Sequence, residues 1–208
     1  YGNNMLSAGK LSMANDSRDM DVQAEFLRAS LANAYEVCRP GAMWFVMGPH
    51  GPSGRPFNDV LGELGVWRHS LVWVKQAFTI GHGDYHYRHE VIYYGWRPDG
   101  PRLVPLQDRT QDTIWEFDRP FRSVVHPTMK PVGLVERALK NASRVGDLVL
   151  DCFLGSGTML IAAHVTGRRA RCVELLPQYV DVALRRFQEA FGVVPVLEST
   201  GEERDFSG

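Results

Sequence analysis

The stretch Asp147-Leu148-Val149-Leu150-Asp151-Cys152-Phe153-Leu154-Gly155-Ser156-Gly157-Thr158, with an apolar run on to Val165, constrains this chain more than any other. Leu148 to Leu150 is a continuous aliphatic run of the kind that forms a strand buried on both faces, and Asp151 closes it with a carboxylate. Gly155 and Gly157 let the backbone turn close to a ligand with no Cβ in the way. A helix opening near Thr158 aims its unpaired N–H groups into the same space, which suits an anionic group. A second strand, Ala170 to Glu174, follows, and Glu174 stands 23 positions after Asp151 (174 minus 151). An acidic residue at a spacing of about 20 meets the ribose hydroxyls in a nucleotide-binding βαβ unit, so a nucleoside is the expected ligand. A polyphosphate is disfavoured, because the glycines do not follow Gly-x-Gly-x-x-Gly and no Gly-Lys-Ser/Thr succeeds them. An amino-acid nucleoside such as S-adenosylmethionine fits better, its carboxylate at the helix N-terminus and its ammonium facing an acid. A plain βαβ turn with a buried helix is the alternative that the local pattern leaves open.

The 208 residues, 44% hydrophobic and 23% charged, suit one soluble α/β domain. No run approaches the length of a membrane span and no charged-then-apolar leader opens the chain, so a cytoplasmic protein without a membrane partner is expected. Cys38, Cys152 and Cys172 are odd in number, sit in or beside apolar runs and lack metal-ligand spacing, which suits reduced thiols. With 23 Lys plus Arg against 24 Asp plus Glu, composition carries no nucleic-acid footprint. The chain begins at Tyr1 rather than Met, from which a fragment, a processed product or an incompletely sampled gene is expected.

Along the chain, residues 5–18 read as a mobile surface loop. Asp19 or Asp21 is placed to cap a helix through Phe26, Leu27, Leu31 and Ala34 that Arg39-Pro40-Gly41 stops. Met43 to Met47 reads as a buried strand, and Phe57, Val60, Leu61 and Leu64 recur at helical spacing. His69–Lys75 and Glu90–Trp96 read as two strands whose connection is too short for a crossover helix, so they pair antiparallel. That connection carries Tyr85, Tyr87 and Arg88, suited to stacking and phosphate contact. His82, His86 and His89 offer a rival metal site, disfavoured because nothing there signals a helix. Residues 97–125 have little pattern, with Arg109, Arg119 and Arg122 available for phosphates or guanine edges. Acidic residues balance the arginines over 76–125, so a mixed surface loop is the alternative. Val132, Val135, Leu139 and Ala142 line one helix face, and Pro177 opens a last helix whose Arg185 and Arg186 are expected to be solvated. Pro195–Glu198 is a candidate edge strand, and 199–208 is polar and expected to be disordered.

Asp151-Cys152-Phe153-Leu154-Gly155-Ser156-Gly157-Thr158 resembles the cofactor motif Asp-Pro-Phe-x-Gly-Ser-Gly-Thr of the amino-group DNA methyltransferases of the permuted β class. His126-Pro127-Thr128-Met129-Lys130-Pro131 resembles the other cofactor motif of that class, and the two occur in the class's order. The resemblance implies S-adenosylmethionine as cofactor, held by His126, Thr128, Lys130, Asp151, Phe153, Gly155, Ser156, Gly157, Thr158 and Glu174. It implies DNA as partner, contacted by Tyr85, Tyr87, Arg88, Arg109, Arg119 and Arg122, with 97–125 as a short target-recognition segment. It also makes Tyr1 the last residue of the catalytic Asp-Pro-Pro-Tyr motif, stacking on an extruded base, with the first three residues of that motif not in the sequence.

The fold so implied is a three-layer α/β sandwich over residues 1–198, with a mostly parallel Rossmann-like sheet, one antiparallel edge strand and the catalytic half first in the chain. The expected activity is methyl transfer to an exocyclic amino group of DNA, adenine N6 ahead of cytosine N4. A non-catalytic cofactor-binding fragment and a methyltransferase for RNA or a small molecule are the alternatives. Metal is not expected, and a homodimer is a further expectation about partners.

Overall fold

The computed structural model describes residues 19–80, 84–120 and 129–206. Tyr1, Arg122, His126 and Thr128 lie outside the described residues, as does His82. Helix α1 (Met20–Val37) starts where the Asp19 carboxylate accepts the Asp21 N–H at 2.9 Å, a side-chain cap on an otherwise orphaned donor. It buries Leu27, Leu31 and Ala34 and ends just before Arg39-Pro40. Strand β1 (Met43–Gly48), helix α2 (Arg55–Glu63), strands β2 (Trp67–Thr79), β3 (Tyr87–Trp96) and β4 (Ile114–Glu116) and helix α3 (Val132–Ala142) follow. The chain then runs through β5 (Leu148–Asp151), α4 (Thr158–Val165), β6 (Arg169–Cys172) and α5 (Pro177–Phe191).

Four strands form one sheet in the order β1-β3-β2-β4. Successive side chains point to opposite faces of a strand, and that alternation sorts the core into two layers. Trp44, Val60, Leu61 and Tyr93 cluster with Leu27 and Leu31 under α1 and α2. Leu71, Trp73 and Ile92 cluster with Trp115, Leu134 and Ala138 under α3. The result is a mixed α/β sheet with helices on both faces.

Two expectations need correction. The antiparallel strand is β3, and it lies inside the sheet, antiparallel to β1 on one side and to β2 on the other. The short β2–β3 connection forces the reversal, and pairing with β1 then holds β3 in the interior, so among the described strands this sheet is not mostly parallel. Among the described strands the edge beside β2 is β4, parallel to it, and it comes from the segment read as having little pattern. Three residues are too few to leave an alternating pattern, yet Trp115 is buried and its neighbours complete a ladder.

The second sheet is the parallel pair β5-β6, backed by Val135, Leu139, Ala162 and Ala163 of α3 and α4. Among the described residues no ladder joins β5 to β1, and each of these strands is paired along one edge only. Leu148 and Leu150 are accordingly 55% and 36% exposed, where burial on both faces was expected. The tail also departs from expectation. Val196 bridges to Glu203, and Phe206 is buried, its N–H donating to Gln188 Oε1 at 2.9 Å and its carbonyl accepting from Arg185 Nε at 3.1 Å. An aromatic anchor and its backbone contacts dock a segment whose composition reads as disordered.

Candidate functional site

The turn after β5 is built almost wholly from its own backbone and two carboxylates. Asp151 Oδ1 accepts the Phe153 N–H at 2.9 Å. Leu154 donates to the Val173 carbonyl at 3.0 Å and Val173 donates back to the Asp151 carbonyl at 2.8 Å, so the ends of β5 and β6 are fixed side by side. Glu174 takes the Gly155 N–H on Oε2 at 2.8 Å and the Leu176 N–H on Oε1 at 3.0 Å. A carboxylate has about four acceptor positions, so Glu174 holds the turn and keeps acceptor capacity for a ligand hydroxyl.

Gly155 and Gly157 have φ of +55° and +83°. At Gly157 a Cβ would stand 2.7 Å from Ala183 Cβ and 2.9 Å from its Cα, so the turn rests directly on α5. Arg186, one helical turn beyond Ala183, donates to the Ser156 carbonyl. This corrects the expectation of a solvated side chain: Arg186 is part-buried and burial lowers its pKa. Helix α4 has no side-chain cap, so its first-turn N–H groups keep their capacity for a negative group. Thr158 is buried and its hydroxyl donates to the Lys130 carbonyl at 3.3 Å, tying the second motif to the first. Phe153 stands half exposed beside Phe26 of α1, with ring centroids 6.0 Å apart.

Charge in the crevice is unbalanced toward acid. Burial pushes the Asp151 carboxyl up, the Phe153 N–H offsets part of this, and the Glu174 charge adds to the rise. A cation placed there would offset both the cost of desolvating the carboxylate and its repulsion by Glu174.

Lys130 enters an ion-pair cluster that the sequence did not suggest. Its Nζ lies 2.8 Å from Glu90 Oε2, and Lys75 Nζ lies 2.7 Å from Glu90 Oε1. Burial is the largest effect on the Glu90 carboxyl and pushes it up, but Lys130 and Lys75 together outweigh it and leave its pKa lowered. The available signal was opposite charge on adjacent antiparallel strands, Lys75 after the apolar run of β2 and Glu90 before that of β3.

The other expected residues divide. Tyr85 is 90% exposed and Arg88 is exposed beside it on the hairpin, while Tyr87 stacks on His50 with centroids 3.2 Å apart. Arg119, which follows β4, exchanges backbone bonds with the Gln76 amide at 2.6 and 2.7 Å, so it sits by the same end of β2. Arg109 does not join them. It precedes β4, at the other end of that strand, in a turn where Asp108 is held down to about 2 by hydrogen bonds from the Thr110 hydroxyl and the Gln111 amide. His86 stacks on Phe78, with centroids 5.0 Å apart. Among the described residues no three His, Cys, Asp or Glu side chains gather as a metal site would need.

The DNA methylase family of N6 and N4 enzymes has a model that matches residues 8–185. This chain belongs to that family. The type II methyltransferase M.HpaI of Haemophilus parainfluenzae is 25% identical over 201 residues, covering 85% of this chain and 63% of that protein. The DNA adenine methyltransferase YhdJ of Escherichia coli K12 is 37% identical over 82 residues, covering 37% of this chain and 28% of YhdJ. The chain thus matches less than two thirds of the length of either relative. Among solved structures, the modification methylase TTHA0409 of Thermus thermophilus, complexed with S-adenosyl-L-methionine, is 26% identical with a TM-score of 0.63, over 82% of this chain and 76% of that one. The cytosine-N4-specific PvuII methyltransferase has a TM-score of 0.66 at 15% identity, over 85% and 74% of the two chains, a likeness of fold. Among the described residues, no helix is long and apolar enough to cross a membrane.

Proposed function

We propose that this methylase binds S-adenosylmethionine in the crevice between Asp151 and Glu174 and transfers its methyl group to an exocyclic amino group of DNA, adenine N6 ahead of cytosine N4. The observation that carries this reading is the pairing of a part-buried Asp151 carboxyl, held by the Phe153 N–H and pushed up by desolvation, with the uncapped N-terminus of α4. A ligand with an ammonium and a carboxylate on one carbon answers both. Asp151 takes the ammonium, and the α4 N–H groups, that of Thr158 among them, receive the carboxylate together with Lys130. Glu174 offers its unspent lone pairs to the ribose, Gly155, Ser156 and Gly157 form the floor, and Phe153 stands at the mouth. His126 and Thr128 join this set on the motif resemblance alone. The bound cofactor supplies a methyl on a cationic sulfur, which keeps the bonding pair as the target nitrogen forms the new bond and loses one proton.

Tyr85, Tyr87, Arg88 and Arg119 form the DNA face in this reading, with Arg122 beside them by resemblance and Tyr1 stacking on the extruded base. The amino N–H needs an acceptor to polarise it. The resemblance gives that acceptor to an Asp-Pro-Pro strand, and the partnerless edges of β1 and β5 among the described residues leave a place for it. Labelled methyl transfer onto unmethylated DNA, followed by digestion to nucleosides, tests the proposal. N6-methyldeoxyadenosine is the expected product, N4-methyldeoxycytidine would reverse the order of bases, and absence of cofactor binding by calorimetry would overturn the reading.

A further inference from the structure

Two ammonium groups share one carboxylate at the ligand end of the sheet. Lys75 is 9% exposed, and both its Nζ and that of Lys130 lie over the Trp73 ring, 5.2 and 5.7 Å from its centroid. Two cations against one anion leave the trio with a surplus positive charge on half-buried ground, where an anion is worth more than in water. An ammonium has three donors. Lys130 spends one on Glu90, and its backbone carbonyl is held by Thr158, the first residue of α4. Thr158 thus holds the Lys130 backbone against the first turn of α4, and the ammonium keeps donors that Glu90 does not take.

We propose that Glu90 is a positioning residue which, together with Lys75, sets the Lys130 ammonium so that the trio recognises the carboxylate of the cofactor. This rests on the cofactor reading above and deepens it. Glu90 fixes where the ammonium stands, and Lys75 keeps Glu90 from neutralising Lys130 completely. Neither residue belongs to the two cofactor motifs. Were the trio only a staple between β2, β3 and the entry to α3, it would act on folding and on every ligand alike.

Calorimetry on the whole chain separates these cases with two probes: S-adenosylhomocysteine, and its decarboxylated analogue S-adenosyl-3-thiopropylamine, which keeps the ammonium and lacks the carboxylate. In Glu90→Gln the affinity for S-adenosylhomocysteine is expected to fall about tenfold, the scale of one charge-assisted hydrogen bond, with the affinity for the analogue unchanged. Lys75→Met is expected to do the same, and Glu90→Asp, which keeps the charge, to recover part of the loss. Equal weakening of both probes, or no change in either, would overturn the proposal. If the unsubstituted chain binds neither probe, the cofactor reading itself has failed, a result distinct from failure in the variants alone.

Discussion

At Asp151 stability and binding pull in opposite directions. Its pKa is raised in the folded chain, so folding favours the protonated form: the stability this group contributes is present at low pH and lost as pH rises through the folded pKa. At neutral pH the carboxylate is therefore a cost to the unliganded protein. Asp151→Asn keeps an oxygen for the Phe153 N–H and removes the charge. It is expected to raise the melting temperature of the free chain at neutral pH while lowering affinity for S-adenosylmethionine by about one to three kcal/mol. Thermal melts and calorimetry on the same preparation check both signs. The unsubstituted chain should also lose affinity as pH falls through the elevated pKa, a dependence Asp151→Asn should abolish. Gly157 makes a different prediction. A Cβ there meets Ala183 at 2.7 Å with φ already at +83°, so Gly157→Ala should destabilise the fold by about one to three kcal/mol, read in urea titrations, through displacement of the turn from α5.

The elements differed in how plainly the sequence announced them, and the reason is how many residues share the work. The helices from Phe26 to Ala34 and from Val132 to Ala142 repeat an apolar contact every turn, so their periodicity shows. The strand β4 relies on Trp115 and a ladder to β2, and the tail relies on Phe206; neither repeats anything. The glycine turn was legible because Gly155, Gly157, Asp151 and Glu174 are all chemically unusual for their positions. Its support was not: Arg186 looks like any helical surface arginine until the turn is folded onto it, and Glu90 gains its role only when β3 comes to lie beside β2. The tail is the clearest test at this scale. Phe206→Ala should cost about three kcal/mol, as for other buried aromatics, and hydrogen exchange should rise along α5. If the chain keeps its stability, the docking of 199–206 contributes nothing to the fold.

The molecule as described comes in two sheets, and β1 in one and β5 in the other each have one edge without a partner among the described residues. Unpaired strand edges recruit other strands, and the exposed Leu148 and Leu150 add an apolar reason to cover β5. If the proposed Asp-Pro-Pro strand belongs there, one inserted strand would satisfy both edges at once and carry its acceptor to the crevice at the end of β5, since parallel neighbours present their carboxyl ends together. A second copy of the chain pairing through the same edges would satisfy them without bringing the acceptor in. These alternatives separate experimentally. Joining an Asp-Pro-Pro strand directly ahead of Tyr1 should slow amide exchange in residues 43–48 and 148–151, shift the sedimentation profile toward monomer, and produce methyl transfer to DNA. Unchanged exchange at both strands would mean that the gap is already closed by the chain itself, and the acceptor for the amino proton would then have to be sought among residues 1–18.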